Sequence, residues 1–187
     1  DLDLVFIHDG SPSEATDGAK PIAGQMFFNR LGQRIIHVLS TATVSGELYE
    51  VDMRLRPSGN SGLLVTSLTA FIQYQHKDAW TWEHQALVRT RAVAGDAGLA
   101  KKFAAERNQL LALERDRQQL RTEVKTMRQK MADNLLPAGA EEGKSPFFHL
   151  KQGCGGIVDI EFMVQYTVLA WAHKYPSLTL YSDNIRI

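Results

Sequence analysis

The chain has 187 residues, and its 21 lysines and arginines equal its 21 aspartates and glutamates, so the formal net charge is zero. With 44% hydrophobic and 22% charged residues, the composition is that of a folded protein and excludes a disordered chain. A neutral chain also differs from proteins that hold nucleic acid or anionic membranes by excess positive charge, so neither is predicted as a partner.

Cysteine usage and hydropathy predict a cytoplasmic protein. The one cysteine, Cys154, cannot form an internal disulfide bond. No apolar run reaches the roughly 18 to 20 residues of a membrane-spanning helix, and the N-terminus lacks the pattern of a signal peptide. The chain starts inside a strand pattern and ends without a stop signal, so we expect it to be a piece of a longer protein.

The first part of the chain has a mixed α/β pattern. An apolar run over residues 2–7 predicts a strand, and apolar residues at helical spacing predict an amphipathic helix over residues 25–39. From Glu47 to Arg56 apolar and charged residues alternate, which predicts a half-buried strand. Its charged face carries Glu50, Asp52, Arg54 and Arg56.

Helical patterns dominate the rest of the chain. Ser67 is predicted to cap one helix, Asp78 a second that runs to about Ala94, and Asp96 a third. Later helices are predicted around Leu120 to Met131 and from Ile157 to about Ala172, and the stretch from Pro137 to Pro146 has linker composition. The predicted fold class is α+β, a small mixed sheet followed by a helical bundle, with domains at residues 1–95 and 96–187.

Acidic residues suggest a metal site in the first part. Asp1 and Asp3 are two apart on a strand, so both carboxylates point to one side. Mg²⁺ is commonly held by one or two carboxylates plus substrate phosphates. Asp52 is the natural third acid, and Arg54 and Arg56 could take up phosphate charge.

Simpler interpretations remain open for the same residues. Acids at the start of a strand are often solvated strand ends, and the charged face of the second strand could carry only ion pairs between strands. The apolar residues follow Asp1 and Asp3 rather than precede them. This order disfavours a mechanism in which an aspartate is phosphorylated.

Three segments carry a family resemblance. They run from Tyr49 to Gly59, from Trp80 to Arg89 and from Gly155 to Phe162. Together with Asp1-Leu2-Asp3-Leu4, they resemble the polymerase-beta-type nucleotidyltransferases and, among these, the glutamine synthetase adenylyltransferase family. That family has two homologous halves, one that attaches AMP to a tyrosine of glutamine synthetase and one that removes it by phosphorolysis. The motifs are most similar to the C-terminal, adenylylating half.

The resemblance implies a fold, a reaction and partners. It implies the nucleotidyltransferase fold, two Mg²⁺ ions held by Asp1, Asp3 and Asp52 as catalytic residues, and ATP as substrate, with Arg54 or Arg56 stabilising the leaving pyrophosphate. It implies glutamine synthetase as protein substrate and the PII signal protein as regulator. The family's upstream Gly-rich phosphate-binding element is absent from this sequence. The alternatives are the deadenylylating half, or an inert module that docks glutamine synthetase or PII.

Other polar and aromatic residues are interpreted as structural. Asp159 is expected to cap a helix N-terminus and Glu161 to form an ion pair, while Glu83 with Arg89 or Arg91 is expected to tie elements together. Trp80 and Trp82 are expected to belong to the core rather than to an adenine platform. The six histidines show no metal-ligand spacing.

Overall fold

In a computed structural model, the described residues are 2–11, 13–47, 49–136 and 148–186. Two compact units divide them, one over residues 1–79 and one over residues 80–187. Asp1, a predicted site residue, lies outside the described residues, and so does the predicted linker from Pro137 to Pro146.

The first unit contains four short strands and two helices. They are β1 (Leu2–Asp3), β2 (Phe6–His8), α1 (Gly24–Ser40), β3 (Val51–Asp52), β4 (Val65–Ser67) and α2 (Leu68–Lys77). β1 pairs in parallel with β3, and β2 pairs in parallel with β4. The predicted strand over residues 2–7 is therefore two strands, because the chain changes its pairing partner between them.

The strand predicted from Glu47 to Arg56 is much shorter in the structure and consists of β3 alone. Its pairing is regular, since Glu50 O accepts from Leu2 N at 2.8 Å and Asp52 O accepts from Leu4 N at 2.9 Å. After Asp52 the extended pattern ends, because the Asp52 carboxylate accepts a hydrogen bond from the backbone N–H of Arg54. An aspartate side chain that accepts a hydrogen bond from the backbone N–H two residues later favours a turn over continued pairing between strands.

Helix α1 packs on β4 through a glycine. A Cβ atom at Gly32 would lie 2.8 Å from Val65 Cγ2, so only glycine allows this approach without a shift. Gln25 reinforces the contact, since its Nε2 donates to Val65 O at 2.8 Å and its Oε1 lies 3.2 Å from His8 Nε2. The helix is confirmed, but its apolar stripe of Phe27, Leu31, Ile35 and Val38 lies on the exposed side of the unit.

The second unit is helical. Its elements are α3 (Thr81–Arg89), α4 (Ala97–Leu111), α5 (Arg117–Leu135), α6 (Ile157–Trp171) and a 3₁₀ turn (Pro176–Thr179). Helix α3 contacts the other three helices, and α5 packs along α6. The core includes Val88, Leu110, Leu111, Val168 and Leu169, all at most 1% exposed.

Helix caps follow the sequence predictions at Ser67 and Asp96 but not at Asp78. Ser67 accepts from Ala70 N and Asp96 from Leu99 N. Asp78 instead ends α2, and α3 begins after Trp80, whose backbone N–H donates to Glu83 Oε2 at 2.9 Å. The cap prediction at Asp78 was wrong because a glutamate inside the helix satisfies the first orphan N–H.

Two arginines, the buried Arg107 and the half-buried Arg115, close helix C-termini in the second unit. Arg107 donates to the carbonyl oxygens of Leu87 and Val88, in the last turn of α3, and to that of Thr179. Arg115 donates to the carbonyl oxygens of Leu110, Leu111 and Leu113 at the end of α4. Burial lowers the pKa of Arg107, and it lowers the pKa of Arg115 to about 10. A positive charge at a helix C-terminus interacts favourably with the negative end of the helix dipole.

The α+β class is confirmed, with parallel strand pairs in the first unit and helices in the second. The division between compact units falls after Ala79, whereas the sequence places the domain boundary at residue 95. Helix α3 lies between these positions and packs within the helical unit. Among the described residues, no helix is both long and apolar enough to cross a membrane.

Candidate functional site

The pairing of β1 with β3 brings two of the predicted site acids together. Asp3 and Asp52 are partners in the register of these parallel strands. Register partners on neighbouring strands point to the same face of a sheet, about 5 Å apart at their Cα atoms. The Asp3 residue is exposed, and the Asp52 side chain is 18% exposed. The structure thus places two carboxylates side by side at the end of β1.

Arg54 holds the Asp52 carboxylate from two directions. Its backbone N donates to Asp52 Oδ1 at 2.8 Å and its Nε to Oδ2 at 2.7 Å, and its Nη2 also pairs with Oδ2. The side-chain hydrogen bond from Arg54, with its backbone hydrogen bond and the charges of Arg54 and Arg56, holds the pKa of Asp52 below its usual value. The same pair raises the pKa of Arg54, to which Asp3 and Glu50 add. Asp52 is therefore a stable anion at neutral pH.

The two predicted phosphate-binding arginines have different surroundings. The Arg54 side chain is 76% exposed. Arg56 instead braces the turn after β3, since its Nη1 donates to Met53 O at 2.7 Å and lies 3.5 Å from Asn60 Oδ1. Of the two, Arg54 presents its guanidinium to solvent, while Arg56 shapes the backbone beside it.

A tight loop follows Arg56 and forms one wall of an open cleft. A Cβ atom at Gly62 would lie 1.9 Å from the Pro57 carbonyl oxygen, so this position requires glycine. The cleft has a volume of about 500 Å³, is open to solvent and is lined mainly by polar atoms. Its lining residues are Glu50, Val51, Asp52, Met53, Arg54 and Asn60.

The described residues contain no group of three or more histidine, cysteine, aspartate or glutamate side chains placed to hold a metal ion. Of the three acids predicted to hold a metal, the structure makes Asp3 and Asp52 register partners, and Asp1 lies outside the described part. Two carboxylates with further oxygens from a phosphate form a usual ligand set for Mg²⁺.

Comparison with known proteins identifies the family. The family model of glutamate-ammonia ligase adenylyltransferase matches residues 1–106. The chain belongs to this family. Along its whole length it is 60% identical to the bifunctional glutamine synthetase adenylyltransferase/adenylyl-removing enzyme of Hahella chejuensis and 58% identical to that of Pseudomonas syringae pv. tomato. It spans about a fifth of these relatives, 19% and 20% of their lengths.

Two acids of the family-like Gly155 to Phe162 segment are engaged in structural contacts. Asp159 accepts from Gly155 N at 2.6 Å through Oδ2 and pairs with Arg128 through Oδ1. Glu161 pairs with Arg89. The interpretation of Glu161 as an ion-pair partner is confirmed. Asp159 does not occupy the N-cap position, which is Gly156; it lies in the first turn of α6 and bonds the N–H of Gly155, just before the helix.

Electrostatics at Asp159 fit the same role. Burial favours the neutral acid, but the Gly155 N–H and the Arg128 guanidinium outweigh it, so the pKa of Asp159 lies below its usual value. Arg128 also donates to Gln152 O at 2.8 Å, which ties α5 to the glycine-rich turn before α6.

Sequence reasoning missed or misjudged three features. Trp80 is 71% exposed, so the expectation of a core residue was wrong for it. The Asp52–Arg54 pair was not predicted, although an acid and an arginine two apart before a turn are a usable signal. The buried Arg107 left no signal, since its main partners are backbone carbonyls far away in sequence.

Proposed function

We propose that the chain carries the catalytic acids of adenylyl transfer, in which AMP moves from ATP to a tyrosine hydroxyl of glutamine synthetase. The observation that carries this proposal is the register of Asp3 with Asp52, beside the exposed guanidinium of Arg54. The names of the relatives, bifunctional glutamine synthetase adenylyltransferase/adenylyl-removing enzymes, support adenylyl chemistry on glutamine synthetase and include both directions. Because the chain spans a fifth of those relatives, the activity of the whole protein enters here as part of the proposal.

Mg²⁺ is the proposed cofactor, and Asp3 and Asp52 are its proposed ligands, with Asp1 as the third acid predicted from the sequence. Hard carboxylate oxygens on one face of a sheet suit this ion. When bound, Mg²⁺ supplies Lewis-acid stabilisation of phosphate charge and favours deprotonation of a coordinated hydroxyl, whose free pKa in tyrosine is about 10.

The side chains of the cleft have separate roles in the proposed reaction. A bond forms between the tyrosine oxygen and the α-phosphorus, the bond from the α-phosphorus to pyrophosphate breaks, and the hydroxyl proton passes to solvent water. Arg54, with its exposed guanidinium, contacts the phosphate chain and offsets its charge. Arg56 holds the turn that positions Arg54 through its bond to Met53 O, and its own predicted contact with phosphate stays a prediction.

We assign the chain to the adenylylating half. The support is the resemblance of the segments from Tyr49 to Gly59 and from Trp80 to Arg89 to that half. The deadenylylating half would use similar acids for phosphorolysis, and an inert docking module would use none of them. Glutamine synthetase is accordingly the proposed substrate and PII the proposed regulator.

Intact mass of glutamine synthetase subunits tests the proposal. Subunits are incubated with ATP, Mg²⁺ and either this chain or a form extended upstream through the Gly-rich element. Gain of one AMP per subunit with the extended form supports adenylylation. Loss of AMP from pre-modified subunits when phosphate is supplied, without any gain with ATP, would show the opposite half. No change in either direction would leave only the docking alternative.

A further inference from the structure

Helix α5 carries a stripe of exposed positive charge. Arg117, Arg121 and Lys125 follow one another at four-residue spacing, so they lie along one side of the helix, about 6 Å apart at each step. All three residues are exposed. Among the described residues, no carboxylate forms an ion pair with any of them. These three residues are called the basic stripe below.

The first cation of the basic stripe occupies a position that opposes the helix dipole. Arg117 is the first residue of α5, where the positive end of the dipole favours acids. Its guanidinium lies 4.7 Å from the ring centre of Trp171, and the Lys174 ammonium lies 6.0 Å from the same ring. Such cation–π contacts hold a charged group in place without neutralising it. Helix stability therefore does not explain the charge at Arg117, and Lys174 extends the positive surface beyond the end of α6.

The acidic side chains of α5 lie at the two ends of the basic stripe or turn away from it. Asp116 precedes the stripe and caps α5, and Asp133 follows it and accepts a hydrogen bond from Gln129. Glu123 is directed to α3, where it accepts a hydrogen bond from Thr81. The positive charge without an ion-pair partner is therefore limited to about 12 Å along the helix.

We propose that the basic stripe, with Lys174 beside it, is a docking surface for an acidic segment of a protein partner. Carboxylates that repeat about every 6 Å match it, as on a helix with acids at four-residue spacing or a strand with acids at every second residue. Such charge complementarity contributes mainly to specificity and to the rate of association. Nucleic acid fits less well, because a duplex carries one charge about every 1.7 Å and its phosphates would also meet Asp116.

Binding of decaglutamate to the full chain, followed by NMR at low ionic strength, tests the proposal. The peptide is expected to shift the indole N–H signal of Trp171, whose ring Arg117 covers, and to leave that of the exposed Trp80 unchanged. The variants Trp171→Phe and Trp80→Phe assign the two signals. Added salt is expected to weaken the binding, because it screens exposed charges.

Two double variants show whether the basic stripe is responsible. Arg121→Gln with Lys125→Gln removes two cations of the stripe and is expected to weaken decaglutamate binding about tenfold. Lys101→Gln with Lys130→Gln removes two exposed cations of the same unit outside the stripe. This matched control is expected to change the binding less than about twofold. Circular dichroism checks the fold of each variant.

Four results would overturn the docking surface: no binding of decaglutamate, a shift at Trp80 instead of Trp171, equal losses of binding in the two double variants, or tighter binding of a short DNA duplex than of decaglutamate. The first and the last are measured on the wild-type chain and do not require any variant to fold.

Discussion

Asp52 and Arg54 form an ion pair in the first unit with an arginine side chain that is 76% exposed, whereas Arg107 in the second unit is 7% exposed and donates to neutral oxygens. Two acids of the second unit, Asp159 and Glu161, each pair with an arginine of another helix. The difference separates charges that can change partners from charges that hold helices together. We therefore expect substitutions of these charged residues to lower activity in the first unit and to lower stability in the second.

The largest effect is expected from Asp3→Asn in the enzyme form that shows AMP transfer. Asp3 is exposed, so its loss removes a proposed metal ligand without opening the core, and transfer should fall at least about a thousandfold. The mass assay measures transfer, and circular dichroism is expected to be unchanged. Asp17→Asn removes an exposed acid of the same unit and is the matched control, with transfer within about twofold of wild type. Full transfer by Asp3→Asn would contradict the metal assignment.

The second prediction concerns the buried arginine of the helical unit. Arg107→Met leaves the carbonyl oxygens of Leu87, Val88 and Thr179 without their donor, and each buried orphan acceptor costs about 1–3 kcal/mol. Partial relaxation should limit the loss in free energy of unfolding to about 2–4 kcal/mol. Urea denaturation measures it.

Arg121→Met is the control for that experiment, because Arg121 lies on the exposed face of α5. Its effect should stay within about 0.5 kcal/mol. Equal losses of unfolding free energy in Arg107→Met and Arg121→Met would contradict the contrast between buried, hydrogen-bonded arginines and exposed ones.

A smaller effect, with a pH signature, is expected from Asp159→Asn. The pKa of Asp159 is lower in the folded chain than in the unfolded one, so its stabilisation is complete above the unfolded value and is lost as pH falls through the folded value. At pH 7 the variant should lose about 1–2 kcal/mol through its weakened bonds to Gly155 and Arg128.

Denaturation of both forms at several pH values checks the sign. The difference in unfolding free energy between wild type and Asp159→Asn should shrink as pH is lowered from about 6 towards 3. A difference that stays constant or widens over that window would show that the Asp159 charge does not act through these contacts.

The same contrast explains which parts of the molecule could be predicted. The helices from Asp96 onward follow from caps and apolar spacing, which act locally, and α4, α5 and α6 were all predicted. The strand over Glu47 to Arg56 was too long, because alternation along the chain does not reveal that Asp52 captures the Arg54 N–H. The acids were found, but their register depends on the pairing of β1 with β3 across fifty residues.

Faces were harder to assign than elements. The apolar stripe of α1 predicts amphipathic character, yet the face that packs on β4 contains Gly32, where a small side chain allows close approach. In α6, the apolar residues Ile157 and Ile160 are 47% and 49% exposed, whereas Val168 is fully buried. Hydrophobic spacing identifies a helix but does not identify which neighbour covers it.

The smallest effect is expected from Trp80→Ala. This variant tests whether the contribution of Trp80 to stability follows its exposure or its large aromatic side chain. A tryptophan in a core costs about 3–5 kcal/mol when truncated to alanine, but Trp80 is 71% exposed. Its backbone N–H, which caps α3 through Glu83, remains in the variant. The loss in unfolding free energy should therefore stay within about 0.5 kcal/mol, measured by urea denaturation with far-UV circular dichroism. A loss above about 2 kcal/mol would restore the core assignment made from the sequence and would mean that the exposed side chain is covered when the chain is folded in solution.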